Sequence, residues 1–205
     1  KRLSNQIEIS AKTIRPLCDK AVYDELDLIS INCYYLSRYA SVLDVNSRSR
    51  RRKYETFSIK EYLNSLLLDS PIFYYKGNNY KYKILGEDFQ IRGIKSNIKI
   101  IVENMILNSL YWLEYFNIDN PVINFELVLN ARKMIIYDNG RGIDKNISDR
   151  LFEPFISNKP ENEGRGMGLY IVSELLKDFG AIISLEDALN DYGNKYKFVI
   201  EFLED

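Results

Sequence analysis

The chain has no histidine among its 205 residues. That excludes imidazole acid–base catalysis, histidine metal ligation and an internal phosphohistidine within these residues. Cysteine is scarce. Two of them, Cys18 and Cys33, make no disulfide framework and read as reduced, partly buried thiols of a cytoplasmic protein. No apolar run is long enough to span a bilayer, and no signal-peptide pattern is visible. Charge of one sign is also missing: the net charge is −1, so no global field draws the chain to nucleic acid or membrane. What is present is the composition of a globular protein, 46% hydrophobic and 28% charged, enough apolar surface for a sizeable core. The chain starts at Lys1 rather than Met, which reads as a piece of something longer.

Apolar residues at three- and four-residue spacing (Leu26, Ile29, Cys33, Leu36, Tyr39, Ala40, Leu43) predict helix over residues 1 to about 47, interrupted near Pro16. Two such helices predict an antiparallel hairpin whose apolar stripes need a partner, the following domain or a second copy. The basic run RSRRRK, residues 48–53, reads either as a solvated linker or as a docking surface for an acidic or phosphorylated partner. A break near residue 55 divides a hairpin, residues 1–55, from a second domain, residues 56–205. In that domain FSIKEYLNSLLLDS predicts a helix capped by Ser58. IFYYKGNNYKYKIL and DFQIRG predict strands with a Gly-Asn turn. SNIKIIVENMILNSLYWLEYF predicts a long helix capped by Ser96 or Asn97. VINFELVLNARKMIIYDNG predicts two strands about a turn at Asn130. GMGLYIVSELLKDFG predicts a helix ending at Gly180, and two further strands close the chain. The pattern is α+β: a two-layer sandwich of a mixed, largely antiparallel sheet and helices.

Three stretches carry chemistry. ENEGRGMGLYIV places Gly164, Gly166 and Gly168 before an apolar helix. It fits neither a P-loop nor a dinucleotide fingerprint, since Leu169 stands where the last glycine belongs. What remains is a glycine loop running into a helix N-terminus, where backbone N–H groups can meet phosphate oxygens; turn glycines are the plainer alternative. Asn104 and Asn108, at i and i+4, share one face of a helix that is apolar nearly all round. Buried amides need partners, whether a ligand or neighbouring backbone, and an amide oxygen is a hard ligand suited to Mg²⁺. IIYDNGRGID carries Asp138 on a strand into a glycine turn with Gly140 and Gly142, after which no hairpin strand resumes.

In this order the pieces resemble the GHKL (Bergerat-fold) ATPase superfamily of gyrase, heat-shock chaperone, MutL-type and histidine-kinase ATPases. ENMILN is similar to the N box, DNGRGI to the first glycine box, LFEPF to the F box and GRGMGL to the second glycine box. The resemblance covers residues 56–205 and implies ATP and Mg²⁺ as ligands. It implies that Asp138 accepts a hydrogen bond from the adenine amine, with Gly140, Gly142 and Ile143 around the ring and Gly142 leaving it space. Asn108 is implied as the magnesium ligand with Asn104 beside it. Residues 153–168 are implied as a lid, with Lys159 and Arg165 set against phosphate charge and Gly164, Gly166, Met167, Gly168 and Leu169 following. Tyr111 stands where kinases often carry lysine, and Ser157 and Asn158 stand where threonines are usual.

Chaperone- and gyrase-type members place a water-activating glutamate four residues before the magnesium asparagine. Here that position is Asn104, which has no useful basicity. Glu103 is turned roughly 140° from Asn108 around the helix. The pattern favours a histidine-kinase-like module over an efficient hydrolase. The acceptor then lies outside this segment, upstream or on another protein; the alternative is a nucleotide-gated switch without kinase activity. A homodimer through residues 1 to about 47 and an unknown protein partner or upstream domain are expected. Nucleic acid is not an expected partner, given the net charge and the four boxes.

Overall fold

The computed structural model describes residues 54–69, 80–160 and 166–203. The hairpin read over residues 1 to about 47, the basic run at 48–53, the Gly-Asn turn at Gly77, and Gly164 and Arg165 lie outside the described residues.

Strand β1 (Glu55–Ser58) runs directly into helix α1 (Ile59–Asp69). Ser58 is the expected cap, its Oγ accepting the Glu61 N–H at 2.9 Å. Strand β2 (Lys81–Gly86) and strand β3 (Gln90–Gly93) are adjacent in sequence but do not pair. β3 joins β1 in an antiparallel ribbon, while β2 lies parallel to β4 (Val122–Val128) in the main sheet. A parallel neighbour requires a crossover, and the connection from β2 to β4 includes helix α2 (Lys95–Tyr115).

The cap of α2 is Ile94, not Ser96 or Asn97, and no side chain caps it. The N–H groups of Asn97 and Ile98 donate to the Ile94 carbonyl at 2.8 and 3.3 Å, so both predicted caps already lie in the first turn. Burial of Ile94 and Ile98, 9% and 0% exposed, fixes the earlier entry point. After β4 the chain turns through a 3₁₀ segment (Leu129–Ala131) and Arg132 at φ 47° into β5 (Lys133–Asp138), as the turn at Asn130 predicted. The short helix α3 (Lys145–Ser148), helix α4 (Gly168–Lys177), β6 (Ala181–Leu189) and β7 (Lys195–Phe202) follow. Helix α4 stops at Lys177, before the predicted end; Gly180 at φ 60° turns the chain into β6.

The five-stranded sheet has the order β2-β4-β5-β7-β6, with one parallel pair and three antiparallel pairs. It is the mixed, largely antiparallel sheet expected. Helix α2 packs against α4 and β5, and α4 against β6. Strand alternation sets the core face. Phe125 pairs with Ile136 and Leu127 with Met134, and Ile136 and Met134 pair in turn with Phe198 and Ile200. All six are at most 9% exposed. Complete burial of such side chains contributes about 1.5–3 kcal/mol each, which locks the register.

Candidate functional site

The same alternation decides where the acid goes. Met134, Ile136 and Asp138 share one face of β5, and Asp138 pairs with Ile123, a residue with no exposed surface. The strand therefore delivers Asp138 at its end to the helix-covered face. Its carboxylate is hydrogen-bonded by the Ser109 side chain on α2 and accepts the Gly140 N–H at 2.9 Å. Part of the residue remains accessible, yet the surrounding protein is dense. Burial raises the carboxyl pKa above the ordinary aspartate value, and the hydrogen bonds from Ser109 and Gly140 oppose that rise. The Asp138 main-chain carbonyl is held separately, by Asn190 Nδ2 at 3.0 Å. Asn190 is buried, and its Oδ1 accepts the N–H groups of Tyr192 and Asn194 at 2.9 and 3.1 Å. The β6–β7 turn thereby braces the strand end.

Asn104, Asn108 and Tyr111 occupy one stripe of α2, separated by one turn at each step. Asn104 Nδ2 donates to the Ile100 carbonyl at 2.8 Å, so that half of the amide is satisfied by backbone. A Cβ placed on Gly168 would lie 3.3 Å from Asn104 Oδ1, which brings the start of α4 against this stripe. The residue before α4, Met167, makes no side-chain cap hydrogen bond, and the first N–H groups of a helix have no intrahelical acceptor. Asn108 is half-buried and makes no side-chain hydrogen bond among the described residues. Lys159 lies with its Nζ 3.8 Å from the centroid of the Tyr111 ring.

Two glycines have structural reasons visible in the backbone. Gly142 adopts φ 83°, and a Cβ there would sit 2.5 Å from the Lys195 carbonyl oxygen of β7. The approach of β7 thus constrains Gly142 independently of any ligand. Gly166 adopts φ 63° and packs against the Ile156 backbone, its carbonyl accepting the Phe155 N–H at 3.0 Å. This bond ties together the two ends of the segment that carries Lys159. Ile143 is half-buried just after the glycine turn, whereas Leu169 is buried in the core as part of α4. Glu103 is buried and lies 3.8 Å from Lys99, one turn back on α2.

The structure thus brings Asp138 and Gly140 beneath α2, Gly168 against Asn104, and Lys159 onto Tyr111. Residues 93–204, more than half of the chain, match the family described as histidine kinase-, DNA gyrase B-, and HSP90-like ATPase. The chain belongs to this family. Its domain is an ATP-binding catalytic domain of the histidine-kinase type. Sporulation kinase D of Bacillus subtilis (strain 168) is 24% identical over 158 residues, 74% of this chain and 29% of that protein. Sensor protein kinase GraS of Staphylococcus aureus (strain Newman) is 28% identical over 158 residues, 72% of this chain and 44% of that protein. The chain therefore spans less than half the length of these relatives. The mycobacterial sensor histidine kinase MprB shares the fold, with a TM-score of 0.60 at 19% identity over 73% of this chain and 97% of that one.

Three contributors to the site were not evident from the sequence of this ATP-binding domain. Ser109 follows Asn108 directly, and the β5 alternation that aims Asp138 at α2 was the available signal. Asn190 lies 52 residues from Asp138, and no local pattern links them. The contact between Lys159 and Tyr111 joins two residues named separately. Among the described residues no helix is long and apolar enough to cross a membrane. No group of three or more His, Cys, Asp and Glu side chains there is arranged for a metal ion. An Asn108 amide oxygen without a partner among the described residues fits Mg²⁺, which binds through one or two protein oxygens with phosphates and water completing its shell.

Proposed function

We propose that this chain binds Mg-ATP at the Asp138 pocket and is the catalytic module of a histidine kinase whose acceptor lies outside the segment. The observation that carries the proposal is the Asp138 carboxylate, held at the end of β5 by Ser109 and the Gly140 N–H, close to the asparagine stripe of α2. A buried carboxylate with oxygen lone pairs to spare accepts an exocyclic amine and repels a carbonyl oxygen. The pocket therefore takes adenine in preference to guanine. Asn108 would hold the metal, with Asn104 one turn back on the same stripe of α2. Mg²⁺, when bound, spreads and neutralises the phosphate charge. The uncapped N-terminus of α4 directs N–H groups at the same charge, and Lys159 adds a cation.

Asn104 is an amide, its nitrogen donating to the Ile100 carbonyl, and an amide lacks the basicity to take a proton from water. This supports transfer to an acceptor over hydrolysis. In the transfer the bond from the γ-phosphorus to the β,γ-bridging oxygen breaks, and that oxygen leaves with ADP, keeping the electron pair. A phosphorus–nitrogen bond forms on the acceptor imidazole, whose displaced proton passes to solvent. The second reading is a switch in which nucleotide binding alone controls a partner; the absence of histidine from the sequence favours it. Incubating the full-length protein with γ-labelled ATP separates the two. Acid-labile label retained on protein supports the kinase, whereas binding without label transfer supports the switch. The proposal also makes the chain a cytoplasmic homodimer joined through residues 1 to about 47, which a monomeric mass at micromolar concentration refutes.

A further inference from the structure

We propose that Tyr111 is a positioning residue: its ring is the seat that places the Lys159 ammonium on the phosphate side of the nucleotide pocket. The inference rests on the Mg-ATP reading and adds to it a role for the ring of Tyr111. Lys159 Nζ lies 3.8 Å from the Tyr111 centroid, well inside the range at which a ring face attracts an ammonium. Tyr111 follows Asn108 by three residues on α2, on the same helical face. A cation held over that ring is therefore one helical turn from the proposed metal ligand.

The ring is braced by two aromatic neighbours. Tyr115 stacks on it at 5.9 Å with planes 17° apart, and Trp112 meets it edge-on at 5.0 Å and 88°. Two aromatic neighbours on the same helix limit the ring's freedom to turn away. The backbone that carries the lysine is fixed as well. The Lys159 N–H donates to Ser157 Oγ at 3.1 Å, and Asn158 Nδ2 donates to Asp144 Oδ2 at 3.4 Å. Asp144 is itself committed to the start of α3 through the Asn146 N–H at 2.9 Å. Ser157 and Asn158 thus aim the following lysine, and Tyr111 fixes its tip. A lysine loses rotamer freedom when ordered. A seat made before the nucleotide arrives removes part of that cost from binding.

The test uses the full chain with Tyr111→Phe, Tyr111→Leu, Lys159→Met and the Tyr111→Leu/Lys159→Met double variant. Each is titrated with Mg-ATP and with adenosine, which lacks phosphates. The expected result is that Tyr111→Leu weakens Mg-ATP by about 3- to 10-fold and leaves adenosine unchanged. Tyr111→Phe keeps the ring face and stays within about 2-fold of the parent. The double variant matches Lys159→Met alone, because without the cation the seat has nothing to place. A second measurement reads the seat directly: the Lys159 ε-methylene protons of the nucleotide-free protein should be shifted upfield by the ring and return to ordinary positions in Tyr111→Leu. Parental Mg-ATP affinity in Tyr111→Leu, additive losses in the double variant, an equal loss for adenosine, or unshifted ε-protons overturns the proposal. Failure of the parent itself to bind Mg-ATP overturns the pocket as a whole, so the two failures are distinguishable.

Discussion

Replacing Asp138 by asparagine changes two quantities in opposite directions. In the proposed complex three donors would converge on the carboxylate: the Ser109 hydroxyl and the Gly140 N–H, already there, and the adenine amine. Two oxygens serve all three. Asparagine has one oxygen and a donating –NH₂. The hydroxyl can rotate to accept from it, but the Gly140 N–H and the adenine amine then compete for the remaining oxygen. A hydrogen bond to a charged acceptor contributes about 1.5–3 kcal/mol, so Mg-ATP affinity should fall by roughly 10- to 150-fold. Discrimination against GTP should shrink, because the new –NH₂ can donate to guanine O6. Stability of the free protein should move the other way. Burial raises the Asp138 pKa in the folded state. The protonated form is thus favoured on folding, and that stability is complete below the unfolded-state pKa and lost as pH rises through the folded one. Asparagine imitates the protonated form at every pH. Nucleotide-free Asp138→Asn should therefore melt above the parent at neutral pH, by a margin that closes on acidification. Mg-ATP should reverse the order. Calorimetric titration with ATP and GTP, with melting curves across pH, reads all of this. Unchanged ATP affinity and unchanged selectivity refute the assignment of the acid to the purine.

Other expectations follow from single contacts. Asn108→Ala should remove the magnesium dependence of ATP binding, so that EDTA weakens the parent and leaves the variant unaffected; an equal EDTA effect in both refutes the ligand. Gly142→Ala places a Cβ 2.5 Å from the Lys195 carbonyl at φ 83°, and should lose about 1–3 kcal/mol, read as a drop of several degrees in melting temperature. Ser58→Ala removes the acceptor for the Glu61 N–H and should lose about 1 kcal/mol.

Most of the element order was legible because it rests on local pattern. The alternation of β4, β5 and β7 and the apolar spacing of α2 and α4 are written in adjacent residues. Pairing was less legible. The separation of β2 from β3 into different sheets depends on partners at residues 55–58 and 122–127, which no local pattern specifies. The cap of α2 was misplaced because polar residues compete for that role in sequence, whereas burial of Ile94 decided it. In the site, Asp138 and the asparagine stripe were legible from chemistry and spacing. Ser109, Asn190 and the seat under Lys159 were not, since each acts through a neighbour distant in the chain or across the fold.

The strand end that carries Asp138 is gripped at both poles. Its carbonyl is clasped by a side chain of the β6–β7 turn, and its carboxylate by α2 and the adjoining glycine loop. Backbone location and chemical identity are consequently governed by different residues. Under the proposed assignment of Asp138 to the purine, a change of base preference would need only a new tip at one position, with the scaffold left as it stands. Variation at Asn190, in contrast, would displace whatever tip is there, and under the same assignment would degrade recognition of every base alike.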